Sequence, residues 1–109
     1  KAIHAVVLNL LTNAYKYSGN EKRIGVTVRD AGEKVVIEVS DNGVGLSPRE
    51  AKWIFRPFYR TRKAAAGGVG LGLTIARHLV HRHSGSITAS GRPEGGSTFT
   101  ITLPVAVEP

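Results

Sequence analysis

The chain has no cysteine and few aromatic residues: one Trp, three Tyr and three Phe. Without thiols it has neither a disulfide framework nor a thiolate-held metal centre, which fits a reducing compartment. No apolar run approaches the length that crosses a bilayer, and no signal peptide opens the chain. The expected location is therefore the cytoplasm, with any membrane anchor belonging to another part of a parent protein. Acids are also scarce, eight against fifteen Lys and Arg. There is no internal repeat and no shift of composition to mark a second domain. The 109 residues are read as one domain, large enough for a core of its own.

What the chain does have is glycine and positive charge. Its formal net charge is +7. Arg49, Lys52, Arg56, Arg60, Arg62 and Lys63 form a basic cluster broken by one acid, Glu50. Such a cluster suits a polyanion, either nucleic acid or a nucleotide triphosphate, although a charged run in isolation is more often a solvated face. The few aromatics do not interleave with it as a base-stacking platform requires, which argues against nucleic acid.

The most informative stretch is Gly67-Gly68-Val69-Gly70-Leu71-Gly72-Leu73, followed by apolar residues at helical spacing, Ile75, Ala76, Leu79 and Val80. Glycine lets backbone approach a ligand closely, and a helix start offers unpaired N–H groups, so together they can seat phosphate. A mobile loop with a helix cap would look the same. Two familiar phosphate loops are excluded. A dinucleotide fingerprint would need a glycine where Leu73 stands, after a strand that Arg60 to Ala66 does not resemble. A P-loop would need a Lys after the glycines.

Along the chain, Ile3 to Tyr17 reads as an amphipathic helix on Ile3, Val6, Val7, Leu10, Leu11 and Ala14. Asn9, Asn13, Lys16 and Tyr17 share one stripe of it. This is either a wet face or a set of amides and an ammonium converging on a metal–phosphate group, with a ring for a base; amide oxygen is a hard ligand that suits Mg²⁺. The chain starts inside this helix, as a fragment would. Ile24, Val26 and Val28, then Val35, Ile37 and Val39, alternate as two strands around a hairpin loop at Asp30-Ala31-Gly32-Glu33. Asp41-Asn42-Gly43-Val44-Gly45 closes the second strand. It is strong turn chemistry, and equally Asp41 can accept the exocyclic amine of adenine while Gly43 and Gly45 let backbone lie against the base.

Ser47-Pro48-Arg49-Glu50 opens a short helix to about Phe55. Phe55 reads as a core ring. Residues 57–70 have few apolar anchors and are expected to form a mobile lid. The glycine-led helix runs to about His83, and its three imidazoles at 78, 81 and 83 read as cations favoured at a helix C-terminus rather than as metal ligands. Ile87 and Ala89, then Phe99, Ile101 and Leu103, alternate as a second hairpin with its loop at residues 91–96.

The order of five boxes is specific: Asn9-Leu10-Leu11-Thr12-Asn13-Ala14-Tyr15-Lys16-Tyr17-Ser18, Asp41-Asn42-Gly43-Val44-Gly45-Leu46, Ile54-Phe55-Arg56-Pro57-Phe58-Tyr59-Arg60, Gly68-Val69-Gly70-Leu71-Gly72-Leu73 and Gly95-Gly96-Ser97-Thr98-Phe99. Over nearly its whole length the chain closely resembles the catalytic and ATP-binding domain of bacterial sensor histidine kinases. The resemblance implies an α/β two-layer sandwich, the Bergerat fold, with a mixed, mostly antiparallel sheet backed by helices and a flexible ATP lid. It implies ATP and Mg²⁺ as cofactors. Asn13 resembles the family's Mg²⁺ ligand, with Asn9 one turn before it, Lys16 its phosphate-contacting Lys and Tyr17 the aromatic neighbour of the base.

Asp41 matches the adenine-reading Asp, flanked by Gly43 and Gly45. Phe55 and Phe58 match the family's F box at the root of the lid, and Tyr59 and Arg60 the residues after it that can approach the nucleotide. Gly68, Gly70 and Gly72, with Leu71 and Leu73, match the second glycine box at the phosphates, and Ser97 stands where the last box approaches adenine. Asn9, Lys16 and Arg60 are the residues to which the resemblance gives a catalytic part. The related gyrase, chaperone and mismatch-repair ATPases carry Glu at the position resembling Asn9, and Asn cannot take a proton from water. That favours phosphoryl transfer over hydrolysis, with an ATPase or an anti-sigma-type serine kinase as the alternative. No phosphoacceptor motif surrounds His4, His78, His81 or His83, and the family's first strand is absent. The expected partners are thus a histidine-containing dimerisation domain of the same parent protein and a downstream response regulator, without nucleic acid. Without that edge strand the domain is expected to be less stable or to borrow a strand from a neighbour.

Overall fold

A computed structural model describes residues 2–17, 21–43, 45–56, 72–92 and 95–105. Its elements are α1 (Ala2–Tyr17), β1 (Ile24–Asp30), β2 (Lys34–Asp41), α2 (Pro48–Trp53), α3 (Gly72–Arg82), β3 (Ser86–Gly91) and β4 (Ser97–Pro104). They follow the order expected from the periodicity, with ends shifted by a residue or two.

Among the described residues the sheet has four strands in the order β1-β2-β4-β3, and every pairing is antiparallel. Each hairpin is local, and the two are joined where β2 meets β4. The first is closed by Gly32 at φ 79°, whose N–H donates to Asp30 Oδ1 at 3.1 Å. This is a side-chain-stabilised turn that needs a residue tolerant of the left-handed region.

Strand residues alternate between two faces, and the odd-numbered members of β2, β3 and β4 turn towards the helices. Val39, Ile87, Phe99 and Ile101 there meet Val6, Leu10 and Ala14 of α1, Ala76 and Val80 of α3, and Phe55 in one buried cluster. The three α1 residues are four apart, so one stripe of the helix is covered. Fully burying an aliphatic side chain of this kind stabilises by about 1.5–3 kcal/mol. Phe55 meets Phe99 edge to face, with centroids 6.1 Å apart, and so has the core role expected of it.

Helix α2 is short and held by its start. Ser47 Oγ accepts from the Glu50 N–H at 3.1 Å, and Glu50 Oε1 accepts from the Ser47 N–H at 2.9 Å, a reciprocal capping box with Pro48 in the first turn. In the basic cluster, the guanidiniums of Arg49 and Arg56 lie 4.8 and 4.7 Å from the centre of the Trp53 ring. Here the structure adds what the sequence did not suggest, one aromatic side chain set among the cations. Among the described residues no helix is long and apolar enough to cross a membrane.

Candidate functional site

Strand β2 ends at Asp41 and β4 begins at Ser97, and the two are register partners. Both are buried, with 5 % and 7 % of their surface exposed. A carboxylate taken out of water needs hydrogen bonds to remain there. Ser97 Oγ donates to Asp41 Oδ2 at 3.0 Å, and the Gly43 N–H donates to Oδ1 at 2.8 Å. A carboxylate offers about four acceptor directions, so the fixed group keeps capacity for a further donor.

Glycine backbone crowds the same spot. Gly96 has φ 93°, and a Cβ on it would run into the Asp41 carbonyl oxygen. Gly45 has φ 80°, and its Cβ would lie 3.3 Å from the Gly96 carbonyl oxygen. The Arg92 guanidinium donates to the Asp41 carbonyl at 2.9 Å. Asn42 ties the turn to the segment after α1: Nδ2 donates to the Glu21 carbonyl at 2.8 Å, and Oδ1 accepts from the Arg23 N–H at 3.0 Å.

A second group of contacts joins α1 to the start of α3. Asn9 Nδ2 donates to the Gly72 carbonyl at 3.0 Å. A Cβ on Gly72 would lie 3.2 Å from Asn9 Oδ1, so the absence of a side chain there lets the helices meet. Thr74 Oγ1 donates to the Phe55 carbonyl at 2.8 Å and fixes α3 to the end of the α2 segment. Leu73 packs against the core from the same turn. Asn13 lies half-buried one turn beyond Asn9 on α1, and α1 packs across β2, the strand that carries Asp41.

The described part of the predicted site thus falls in two clusters, Asp41 with Gly43, Gly45 and Ser97, and Asn9 with Gly72 and its neighbour Leu73, with Asn13 one turn beyond Asn9 on α1. Lys16 and Tyr17 lie on the last turn of α1, but their side chains are outside the described residues. So are Phe58, Tyr59, Arg60, Gly68, Gly70, Leu71 and the rest of the expected lid. The tie from Arg92 to Asp41 and the bracing by Asn42 were not legible in the sequence. Arg92 reads as a hairpin-loop residue, and its partner is distant along the chain. Among the described residues no three His, Cys, Asp or Glu side chains gather into a metal site. His83, just past the end of α3, has its Nδ1 2.9 Å from the Leu79 carbonyl of that helix.

A two-layer α/β fold with a buried, glycine-flanked carboxylate at a strand end and an amide-bearing helix beside it defines a nucleotide-binding class. Comparison with known proteins agrees. Residues 1–107 match the family described as histidine kinase-, DNA gyrase B-, and HSP90-like ATPase. The chain belongs to that family, and is thus an ATP-binding domain. It is 48% identical over 105 residues to the sensor protein KdpD of Escherichia coli strain K12, covering 95% of this chain and 12% of that protein. Among solved structures it is similar to the mycobacterial sensor histidine kinase MprB, with TM-score 0.88 and 30% identity over 94% of this chain and 72% of that one. It is also similar to the histidine kinase ThkA in complex with the response regulator protein TrrA, with TM-score 0.79 and 30% identity over 95% of this chain and 28% of that one. The fold is that of a histidine kinase catalytic domain, and the chain spans about an eighth of KdpD.

Proposed function

We propose that this domain binds Mg-ATP and gives its γ-phosphoryl group to a histidine in a separate dimerisation and phosphoacceptor domain, as the catalytic part of a two-component system that ends in a response regulator. The observation that carries the reading is the Asp41 carboxylate, buried and held by Ser97 and Gly43. An acceptor fixed in this way recognises an amino group on a planar base and leaves a large discrimination against a base without one.

The other residues take roles that follow from their chemistry. Gly43 and Gly45 give the base room against the backbone. Asn13, with Asn9 beside it, offers amide oxygens to the cation, and such hard donors suit Mg²⁺, which also keeps water and phosphate oxygens. When bound, Mg²⁺ supplies charge neutralisation on the triphosphate. Lys16 and Arg60 add fixed positive charge to the phosphates, and Tyr17, Phe58 and Tyr59 stand at the nucleotide. Gly68, Gly70, Leu71, Gly72 and Leu73 are assigned to the phosphates, with Gly72 and Leu73 at the start of α3.

Asn9 is held by Gly72 and has no basic atom to deprotonate water. Transfer therefore depends on alignment: the acceptor imidazole nitrogen attacks, the bond to the bridging oxygen breaks, and ADP leaves with that electron pair. KdpD is named as a sensor protein, MprB as a sensor histidine kinase, and ThkA is seen with a response regulator, which supports the same role here; a kinase that draws on ATP in this way works in the cytoplasm. The test is to mix the chain with a helical acceptor domain and γ-labelled ATP. Label should appear on the acceptor histidine as an acid-labile, base-stable phosphoramidate. Rapid release of free phosphate by the chain alone, with no label on the acceptor, would favour an ATPase.

A further inference from the structure

The β1–β2 ladder ends at the pair Ile24 and Asp41. The next pair along would be Arg23 with Asn42. There the Asn42 side chain stands in for a peptide group: its Nδ2 donates to the Glu21 carbonyl at 2.8 Å, and its Oδ1 accepts from the Arg23 N–H at 3.0 Å. One amide thus serves both backbone groups that flank Lys22, and only this orientation of its oxygen and nitrogen satisfies them both. Lys22 in turn sets its ammonium 4.5 Å from the centre of the Tyr15 ring on α1, a cation–π contact. The segment that Asn42 grips is therefore held from the helix as well.

With that pairing taken by a side chain, the main chain leaves the ladder after Asp41. The Gly43 N–H reaches back to Asp41 Oδ1 at 2.8 Å instead of joining a strand. Ser97 holds the other carboxylate oxygen from β4, so the direction of Oδ1 depends on where the turn places residue 43. Both of the Asn42 bonds go to the 21–23 segment, so they act on the carboxylate through the turn. We propose that Asn42 is a positioning residue for base recognition: by pinning the turn it presents the Gly43 N–H to Asp41 and aims the carboxylate at the amino group of the base. The inference rests on the assignment of Asp41 as the base-reading group. Replacing Asn42 leaves the carboxylate present but no longer aimed, a loss felt only by a base that donates to it.

The test titrates Mg-ATP and magnesium inosine triphosphate into the ¹⁵N-labelled 109-residue chain and into Asn42→Ala. Hypoxanthine carries a carbonyl where adenine carries the amino group, so the inosine nucleotide reports binding without that contact. The parent chain should prefer ATP by about a hundredfold or more. In Asn42→Ala, ATP should weaken by about tenfold or more while the inosine nucleotide stays within about twofold, and hydrogen exchange of the Gly43 amide should speed up by about tenfold or more. A residue that only braced the fold would weaken both nucleotides alike. That result, unchanged ATP affinity, or unchanged exchange at Gly43 would each overturn the proposal. Should Asn42→Ala fail to fold, Asn42→Asp is read by the same ratios, since it keeps the shape and the acceptor for the Arg23 N–H and loses the donor to Glu21. A parent chain that binds both nucleotides equally would refute the reading of Asp41 itself, and this inference with it. Full discrimination retained in the variants would refute the inference alone.

Discussion

Asp41 and Ser97 face one another across the β2–β4 register, and the serine hydroxyl reaches the aspartate Oδ2 at 3.0 Å. The pair ties two strands that are far apart in sequence at the point where the proposed base pocket begins. A polar contact at the end of a strand pair is easily lost to water. The Arg92 guanidinium and the side-chain-free Gly96 sit against the Asp41 backbone carbonyl, which anchors the strand end that carries this acceptor.

Replacing Ser97 with Ala removes one of the two hydrogen bonds to the carboxylate seen here. The expected cost is about 1–3 kcal/mol of stability, since the carboxylate stays buried with one partner fewer. Urea denaturation of the two proteins measures it, and ATP affinity should fall in the same variant because the acceptor is no longer held in place.

Gly96→Ala tests the backbone. Its φ of 93° is strained for any L side chain, and the added Cβ meets the Asp41 carbonyl. A loss of about 1–3 kcal/mol is expected from the dihedral alone, before the collision is counted. Gly95, at φ 100° and with open space where its Cβ would stand, should cost only the dihedral part. The difference between the two variants in melting temperature isolates the collision.

Much of this was legible in the sequence, for reasons that differ by residue. Val6, Leu10 and Ala14 show their face through spacing alone, and Ile101 and Phe99 through alternation, because burial imposes those periods. Ser47 and Glu50 announce a helix start three residues apart, and the structure has the reciprocal bonds. The Asp41 turn was recognisable locally, but not that Ser97 would be its partner by geometry rather than by resemblance. The contacts of Arg92 with Asp41 and of Asn9 with Gly72 join positions 51 and 63 residues apart. No local pattern encodes a pairing that only the packing of the sheet and helices creates. Trp53 between two arginines is hidden for a related reason: Arg49 reaches the ring through a turn of α2 and Arg56 through the turn that follows the helix.

Ser47→Ala serves as a control. It removes the side-chain cap of α2, which typically costs about 0.5–2 kcal/mol, and touches neither cluster of the proposed site. Chemical denaturation should register the loss while the ATP dissociation constant stays as it was.

Asn9→Ala removes the bond to the Gly72 carbonyl at the start of α3. The domain should stay folded, because Leu10 and Val6 still bury the helix. Phosphoryl transfer to the acceptor domain should fall by about tenfold or more, as expected when a group that positions reactants is lost. Asn9→Asp, which keeps the shape but cannot donate to that carbonyl, should behave alike, and transfer at the parent rate in both variants would remove Asn9 from the mechanism.

Calorimetric titration of Mg-ATP into the chain and into Asp41→Asn tests the central claim most directly. That substitution keeps the volume of the side chain and exchanges its charge for an amide. The chain should bind one nucleotide, and the variant should bind it about a hundredfold more weakly or not at all. Equal affinity in the two proteins, or no binding to the parent chain at millimolar nucleotide, would contradict the assignment of this carboxylate as the base-reading group.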